Sequence, residues 1–206
     1  MNGLRKYKWT WLLLAVCMIA AVYLVYNALD FGKEKLPVIR EVGDFTMENV
    51  DGATVSRDDT AGQVRLMYFY FTSCPDVCPV TTFVLSQIQD ELKKEEGVFG
   101  EEVSFVSISF DPETDTREKI KEFGDRFYAD YSGWYFLRGD QEETRTLMLD
   151  SFKIPLLGND ATNYTHGNYI ALVDRDNNIR KMYNAAVPQD VEIDDVVKDI
   201  YNLIKE

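Results

Sequence analysis

Two cysteines separated by three residues form the pair with the most chemical potential in the sequence. They are Cys74 and Cys78, in the segment Cys-Pro-Asp-Val-Cys. If this turn is helical, the spacing puts both sulfurs on one face, with Cα atoms about 6 Å apart, which a disulfide can span. The pair could therefore open and close as a disulfide, or hold one soft metal ion as two thiolates.

The position of the pair in the chain favours reactive sulfur over a structural bond. An apolar and aromatic run, 64–71, predicts a strand buried on both faces, and a helix is expected to begin at Pro79. Ligands bind at the carboxyl ends of such strands, and a helix N-terminus favours a thiolate over a thiol. The alternative is a permanent disulfide, but closing a five-residue turn stabilises a fold only weakly.

His166 is the single histidine of the chain, in the segment Asn-Tyr-Thr-His-Gly-Asn just before a predicted strand. On spacing alone it is an ordinary loop residue, because nothing in the local sequence places it beside the cysteines.

The elements that would position these residues follow from hydrophobic periodicity and turn signals. Asp51 and Gly52 predict the turn of a β-hairpin, and Asp115 or Thr116 is expected to cap a helix. This order of elements predicts an α/β fold with a mixed sheet covered by helices. Outside the hairpin at 45–55, the pattern predicts strands at 64–71, 103–110, 134–137, 169–173 and 179–183, and helices at 80–95, 116–128, 142–152 and 193–204.

Three segments of the chain carry longer motifs. The first is YFYFTSCPDVCP at 68–79, the second is SISFDPETDT at 107–116, and the third is the span around His166 followed by YIALVD at 169–174. In this order they resemble the signature motifs of the Sco/SenC family, which are membrane-anchored thioredoxin-like proteins of cytochrome oxidase assembly. The resemblance covers about residues 45–183.

The resemblance implies a copper site built from Cys74, Cys78 and His166. Two thiolates and an imidazole suit Cu(I), and Cu(II) to a lesser extent, although zinc accepts the same ligands. The chain departs from the family pattern after the histidine. A hydroxyl residue and an apolar residue usually follow it, whereas here Gly167 and Asn168 do.

The N-terminal part of the sequence predicts a membrane anchor. Residues 9–26 contain no charge and no proline, and as a helix they would be about 27 Å long, close to the hydrocarbon thickness of a bilayer. Arg5, Lys6 and Lys8 precede this stretch, so the positive-inside rule keeps the N-terminus in the cytoplasm and puts the rest of the chain on the extracytoplasmic side of the cell membrane. Cleavage as a signal peptide and lipidation at Cys17 are the alternatives.

The predicted organisation is a membrane anchor at 1–29, a linker at 30–41 and one domain at 42–206, which the resemblance makes a thioredoxin-like copper-binding domain with an N-terminal β-hairpin extension. A hydrophobic content of 46% predicts a packed core. The net charge of −13 excludes nucleic-acid binding through a basic surface.

Three functions are compatible with these residues. The resemblance implies a copper metallochaperone that assists assembly of the CuA centre in cytochrome c oxidase subunit II. The alternative is a thiol–disulfide oxidoreductase that reduces the cysteines of that centre, with Cys74 as the attacking thiolate and Cys78 as the resolving thiol. A third hypothesis is a peroxidase-like or redox-sensing protein. Copper binding should require His166, whereas dithiol exchange should largely survive its replacement.

Overall fold

The computed structural model describes residues 7–28, 35–158, 163–187 and 190–206. The chain divides into two units, Met1–Lys35 and Leu36–Glu206. The first unit contains helix α1 (Lys8–Ala28), which is long and apolar enough over Lys8–Val25 to cross a membrane. A signal sequence near the N-terminus has the same length and composition.

Eight strands among the described residues of the second unit form one sheet at its centre. The strands are β1 (Arg40–Glu41), β2 (Thr46–Asn49), β3 (Thr54–Ser56), β4 (Val64–Tyr70), β5 (Val103–Ser109), β6 (Trp134–Arg138), β7 (Tyr169–Val173) and β8 (Asn178–Asn184). Their order across the sheet is β1-β8-β7-β4-β5-β6-β2-β3. Strands β4, β5 and β6 are parallel, and all other pairs are antiparallel. The predicted mixed sheet and the hairpin β2–β3 are confirmed.

In the described part of this unit, four α-helices cover the sheet, and their bounds are α2 (Val77–Leu92), α3 (Arg117–Arg126), α4 (Gln141–Phe152) and α5 (Ile193–Ile204). Helix α2 packs against α5, and α3 packs against β6. The apolar stripe of α2 faces inward, since Val84, Ile88 and Leu92 are buried. All seven residues of β4 and of β5 are buried as well, so these strands lie between layers of side chains.

Most element boundaries lie within three residues of the predicted ones, and two differences concern the linker and the start of α2. Arg40 and Glu41, at the end of the predicted linker, form β1 and pair with β8, and a strand of two residues is too short to show a period. Helix α2 begins at Val77, so the prediction that it begins at Pro79 is wrong. Proline is tolerated at the third helical position because the N–H groups of the first turn have no partner within the helix.

Charged groups connect the first and last residues of the second unit, at the end of β4 that lies opposite the cysteines. Arg180 of β8 donates a hydrogen bond of 3.0 Å from Nε to the carbonyl oxygen of Leu36, where the unit begins. The same guanidinium pairs with Asp174 at 3.1 Å and with Glu206 at 2.9 Å. One buried arginine therefore ties the entry of the domain to the end of β7 and to the last residue of the chain.

The hydroxyl of Tyr70 has no hydrogen-bond partner among the described residues, although Tyr70 is fully buried. We expect Tyr70→Phe to raise the free energy of unfolding by about 1 kcal/mol, because it removes an unsatisfied buried hydroxyl. The ring contacts with Phe123, at 5.1 Å, and Phe136, at 6.0 Å, would remain. Denaturant unfolding followed by circular dichroism measures the change.

Tyr131→Phe is the matched control for this prediction. The Tyr131 hydroxyl donates a hydrogen bond of 2.8 Å to Asp125, so its removal should leave stability unchanged or lower it. Destabilisation by Tyr70→Phe would contradict the prediction.

Candidate metal centre

The pairing of β4 brings three segments of the chain to one edge of the sheet. Tyr70, at the end of β4, lies beside Ser109, at the end of the parallel strand β5. Ile170 of the antiparallel strand β7 lies opposite Tyr68. The cysteine turn, the loop after β5 and the segment carrying His166 are therefore neighbours, although they are far apart in sequence.

Cys74 and Cys78 are not joined by a disulfide in the structure, and they lie in contact, but their environments differ. The Cys78 thiol donates a hydrogen bond to the Cys74 sulfur, and this is the main reason why the pKa of Cys74 falls to about 6. Burial opposes the shift, while the backbone N–H groups of Asp76, Cys78 and Val77 add to it. Cys74 is therefore a thiolate at neutral pH, stabilised by the start of α2.

Cys78 is the protonated partner of this pair. Its side chain is fully buried, and both its hydrogen bond to Cys74 and its burial raise its pKa above the ordinary value. Tyr68 lies next to Cys78, and burial followed by the nearby Cys78 sulfur raises the pKa of this tyrosine, so it stays a neutral phenol. At neutral pH one proton is therefore held between two sulfurs.

Asp76, between the cysteines, does not cap the helix that follows it. It occupies the position before α2, but its exposed side chain accepts no hydrogen bond from the described residues of the first turn. Its backbone, with φ −130° and ψ −91°, is neither helical nor extended. The backbone N–H groups that Asp76 would cap are aimed at the Cys74 sulfur instead.

Asp115 supports the cysteine turn from the neighbouring loop. Its carboxylate is fully buried and accepts hydrogen bonds from the Thr72 backbone N–H, at 3.0 Å, and from the Ser109 hydroxyl, at 2.6 Å. Burial raises the pKa of Asp115. The N-cap of α3 is Thr116, which accepts a hydrogen bond from the Lys119 N–H, so of the two expected caps Asp115 is wrong. Asp115 instead fixes the chain two residues before Cys74.

His166 lies at the same edge, but its ring contacts an aromatic side chain. The imidazole packs edge-on against Phe110, with ring centroids 4.8 Å apart. Its Nδ1 is 2.9 Å from the carbonyl oxygen of Gly167, which can only accept, so Nδ1 carries the proton and Nε2 is available as a ligand. Burial lowers the pKa of His166, which keeps the ring neutral at pH 7.

Tyr164 holds the segment that carries His166 against the loop after β5. Its hydroxyl donates to Asp111 at 3.2 Å and accepts from Gln141 at 2.7 Å, and its ring packs on Phe110 with centroids 5.2 Å apart. No pattern in the sequence indicates a role for this tyrosine. Asp111 lies in the second motif, but no local pattern indicates what it contacts.

The structure thus brings Cys74 and Cys78 together and leaves His166 outside ligating distance. Among the residues that the structure describes, no three His, Cys, Asp or Glu side chains are grouped closely enough to hold a metal ion. Two soft donors are in place, and a third donor lies at the same edge of the sheet. A site with all three requires His166 and the two cysteines to come closer together.

The unequal pair of sulfurs generates a pH prediction. With metal removed by a chelator, alkylation of Cys74 by iodoacetamide should rise with a midpoint near pH 6, because only the thiolate reacts. Cys78 should stay unreactive over the same range because it is buried and protonated. Mass spectrometry of the peptides that contain each cysteine measures both rates.

Two replacements of Cys78 separate the cause of this shift from other effects. Cys78→Ala removes the donor and should move the Cys74 midpoint upward, whereas Cys78→Ser keeps a donor and should move it less. A midpoint near pH 9 in the wild-type protein would refute the assignment of Cys74 as a thiolate.

Comparison with known proteins relates this geometry to a family. The chain is 32% identical over 181 residues to a SCO1 protein homolog of Bacillus subtilis (strain 168), covering 87% of this chain and 91% of that protein. It resembles the structure of BsSco, described as a member of the Sco family of cytochrome c oxidase assembly proteins with a disulfide switch. The TM-score is 0.74 at 31% identity, over 84% of this chain and 98% of that one.

A second solved structure contains metal. It is Arabidopsis thaliana ScoI with copper bound, with a TM-score of 0.66 and 26% identity, over 79% of this chain and 97% of that one. The thioredoxin-like fold class is confirmed by these similarities. The SCO1/SenC family model matches residues 34–203, so the chain belongs to the SCO1/SenC family.

Proposed function

We propose that this protein is a copper metallochaperone that assists assembly of the CuA centre in cytochrome c oxidase subunit II. The observation that carries the proposal is the pair Cys74 and Cys78, in which one sulfur is ionised at neutral pH and the other is in contact with it. Thiolates are the ligands that Cu(I) prefers, and two sulfurs in contact at the end of a buried strand form a soft donor set.

His166 is the proposed third ligand. Its ring is neutral, and its Nε2 is free because Nδ1 donates to the Gly167 carbonyl. In metal sites, a hydrogen bond donated by the ring nitrogen that does not bind the metal orients the imidazole. To bind copper, the ring leaves Phe110 and turns toward the cysteines, with Nε2 leading.

Copper is cargo in this proposal, and the site favours its transfer. Binding removes the proton that Cys78 holds, so the metal replaces that proton between the two sulfurs. The cysteines of the acceptor can then displace the protein's ligands one at a time. The relative described as a cytochrome c oxidase assembly protein supports the oxidase as the partner, and the copper-bound relative supports copper as the cargo.

A second candidate function, thiol–disulfide exchange, is favoured by the inequality of the same two sulfurs. The Cys74 thiolate would attack a disulfide of the acceptor, forming a mixed disulfide and releasing one acceptor thiol. Cys78 would then lose its proton to solvent and attack the Cys74 sulfur, releasing the second acceptor thiol. The acceptor gains two electrons, and Cys74 and Cys78 become a disulfide.

We further propose that α1 anchors the protein in the cell membrane, with the copper-binding domain on the extracytoplasmic side. The support is the apolar length of α1 and the basic residues that precede it. This location would bring the domain to the compartment into which oxidase subunit II exposes its CuA site.

A copper titration of His166→Ala tests the metallochaperone proposal. The reduced full chain in detergent micelles should retain one copper, and the variant should bind it more than about 100-fold more weakly, since losing a ligand costs more than losing a group behind one. Competition with a coloured Cu(I) chelator measures affinity. Because the chain contains one histidine, nitrogen coupling in the Cu(II) electron paramagnetic resonance spectrum reports on His166 alone.

Dithiol exchange provides the control for this titration. His166→Ala should still reduce a small disulfide substrate at nearly the wild-type rate, which shows that its fold and thiols are intact. If neither protein retains copper while both reduce the substrate, the metallochaperone proposal fails and the oxidoreductase remains.

The location is tested in bacterial cells that express the full chain. Alkaline carbonate should leave the protein in the membrane pellet, and protease added to spheroplasts should digest the domain but leave cytoplasmic markers intact. Release of the protein by carbonate, or protection of the domain, would contradict the proposed anchoring.

A further inference from the structure

Asn168 is a buried polar residue in the segment that carries His166. It lies two residues after His166, directly before β7, and its side chain is buried. A buried amide is favourable only when its donors and acceptors are paired. The contacts of Asn168 therefore show what this side chain contributes to the structure.

The Asn168 amide donates both of its N–H groups. One hydrogen bond, of 2.9 Å, goes to the hydroxyl of Thr81, and the other goes to the carbonyl oxygen of Ala185. Because a carbonyl can only accept, the nitrogen of the amide must be the atom that faces Ala185, and the orientation of the amide is fixed. The backbone carbonyl of Asn168 also accepts from the Ala185 N–H at 2.9 Å.

Thr81 connects this amide to the turn that carries Cys78. It lies in α2, one helical turn after Cys78, and it is fully buried. Its hydroxyl donates to the Val77 carbonyl at 2.9 Å, which leaves its oxygen to accept from Asn168. Hydrogen bonds thus run from the His166 segment, through Thr81, to the residue before Cys78.

The hydrogen bonds of the Asn168 side chain do not pair all of its polar atoms. Asn168 Oδ1 is buried and has no hydrogen-bond partner among the described residues. An apolar side chain at this position would avoid that cost. The contact that only a donor supplies is the link to α2.

We propose that Asn168 is a positioning residue for copper ligation, which fixes the His166 segment to the first turn of α2 through Thr81. The inference rests on the proposed copper function. Because Asn168 is hydrogen-bonded to Thr81 and to Ala185, the residues that move when the imidazole turns toward the cysteines are those before Asn168. Gly167 lies between the held residue and His166, and its backbone is unrestricted by a side chain.

A double-mutant cycle tests the link. Asn168→Leu and Thr81→Val each remove one end of it, and Thr81→Ser keeps the hydroxyl. We expect each of the first two variants to weaken copper binding about tenfold and to reduce the nitrogen coupling of His166 to Cu(II). The double variant should be no weaker than either single one, and Thr81→Ser should resemble the wild type.

The protein used is the full chain in detergent micelles, with copper as the probe. Thermal unfolding of the metal-free variants, followed by circular dichroism, separates positioning from folding. If Asn168→Leu does not fold, a comparison of Thr81→Val with Thr81→Ser tests the same hydrogen bond. Weaker copper binding with unchanged nitrogen coupling would mean a purely structural role and would overturn the inference.

The outcomes also distinguish this inference from the proposed function. If the wild type binds copper through His166 and the Asn168 and Thr81 variants match it, the inference fails and the metallochaperone proposal stands. If the wild type retains no copper, both fail together. Additive losses in the double variant would show that the two side chains act separately and would also overturn the inference.

Discussion

Strand β4 is hydrogen-bonded along both of its edges, to β5 on one side and to β7 on the other. A strand in that position must be apolar on both faces, and it can end only where the backbone finds other partners. Here one partner is the Asp115 carboxylate, which accepts a hydrogen bond from the Thr72 N–H. Others come from the turn that contains Cys74. The direction of β5 and the opposite direction of β7 decide which loops meet at that end, and so decide which side chains can act together.

The chemistry at this edge depends on polar groups that are expensive to bury. Asp115 is paired with backbone and hydroxyl donors, Cys74 with the Cys78 thiol and the N–H groups of α2, and Asn168 with Thr81 and Ala185. Each pairing fixes one segment against another. The aromatic residues around His166 have a different effect, because rings that pack edge to face can exchange one contact for another at modest cost.

The sequence could predict most of the fold because its strands and helices have clear periods. The run that forms β4 and the stripe of α2 are local patterns, and the family resemblance supplied the pairing of distant motifs. The sequence could not predict that Asp115 turns inward to Thr72, because a carboxylate before a helix looks the same whether it caps the helix or faces the core. Nor could it predict the contact of His166 with Phe110, because that contact depends on how two loops pack. Asn168 was visible only as a departure from a pattern, and its partner lies 87 residues away.

Arg180 has a mechanical consequence for the way in which the domain is held. The chain enters the domain at Leu36, clamped by a buried guanidinium, and the thiols lie at the far end of β4, about 20 Å away along a strand of seven residues. A force applied to the chain before Leu36 would act on the ion pairs of Arg180 with Asp174 and Glu206 before it acts on any bond at the cysteine turn. The contacts that hold the start of the domain are therefore separate from those that hold the cysteine turn, so a load on the first set need not change the distance between the two sulfurs.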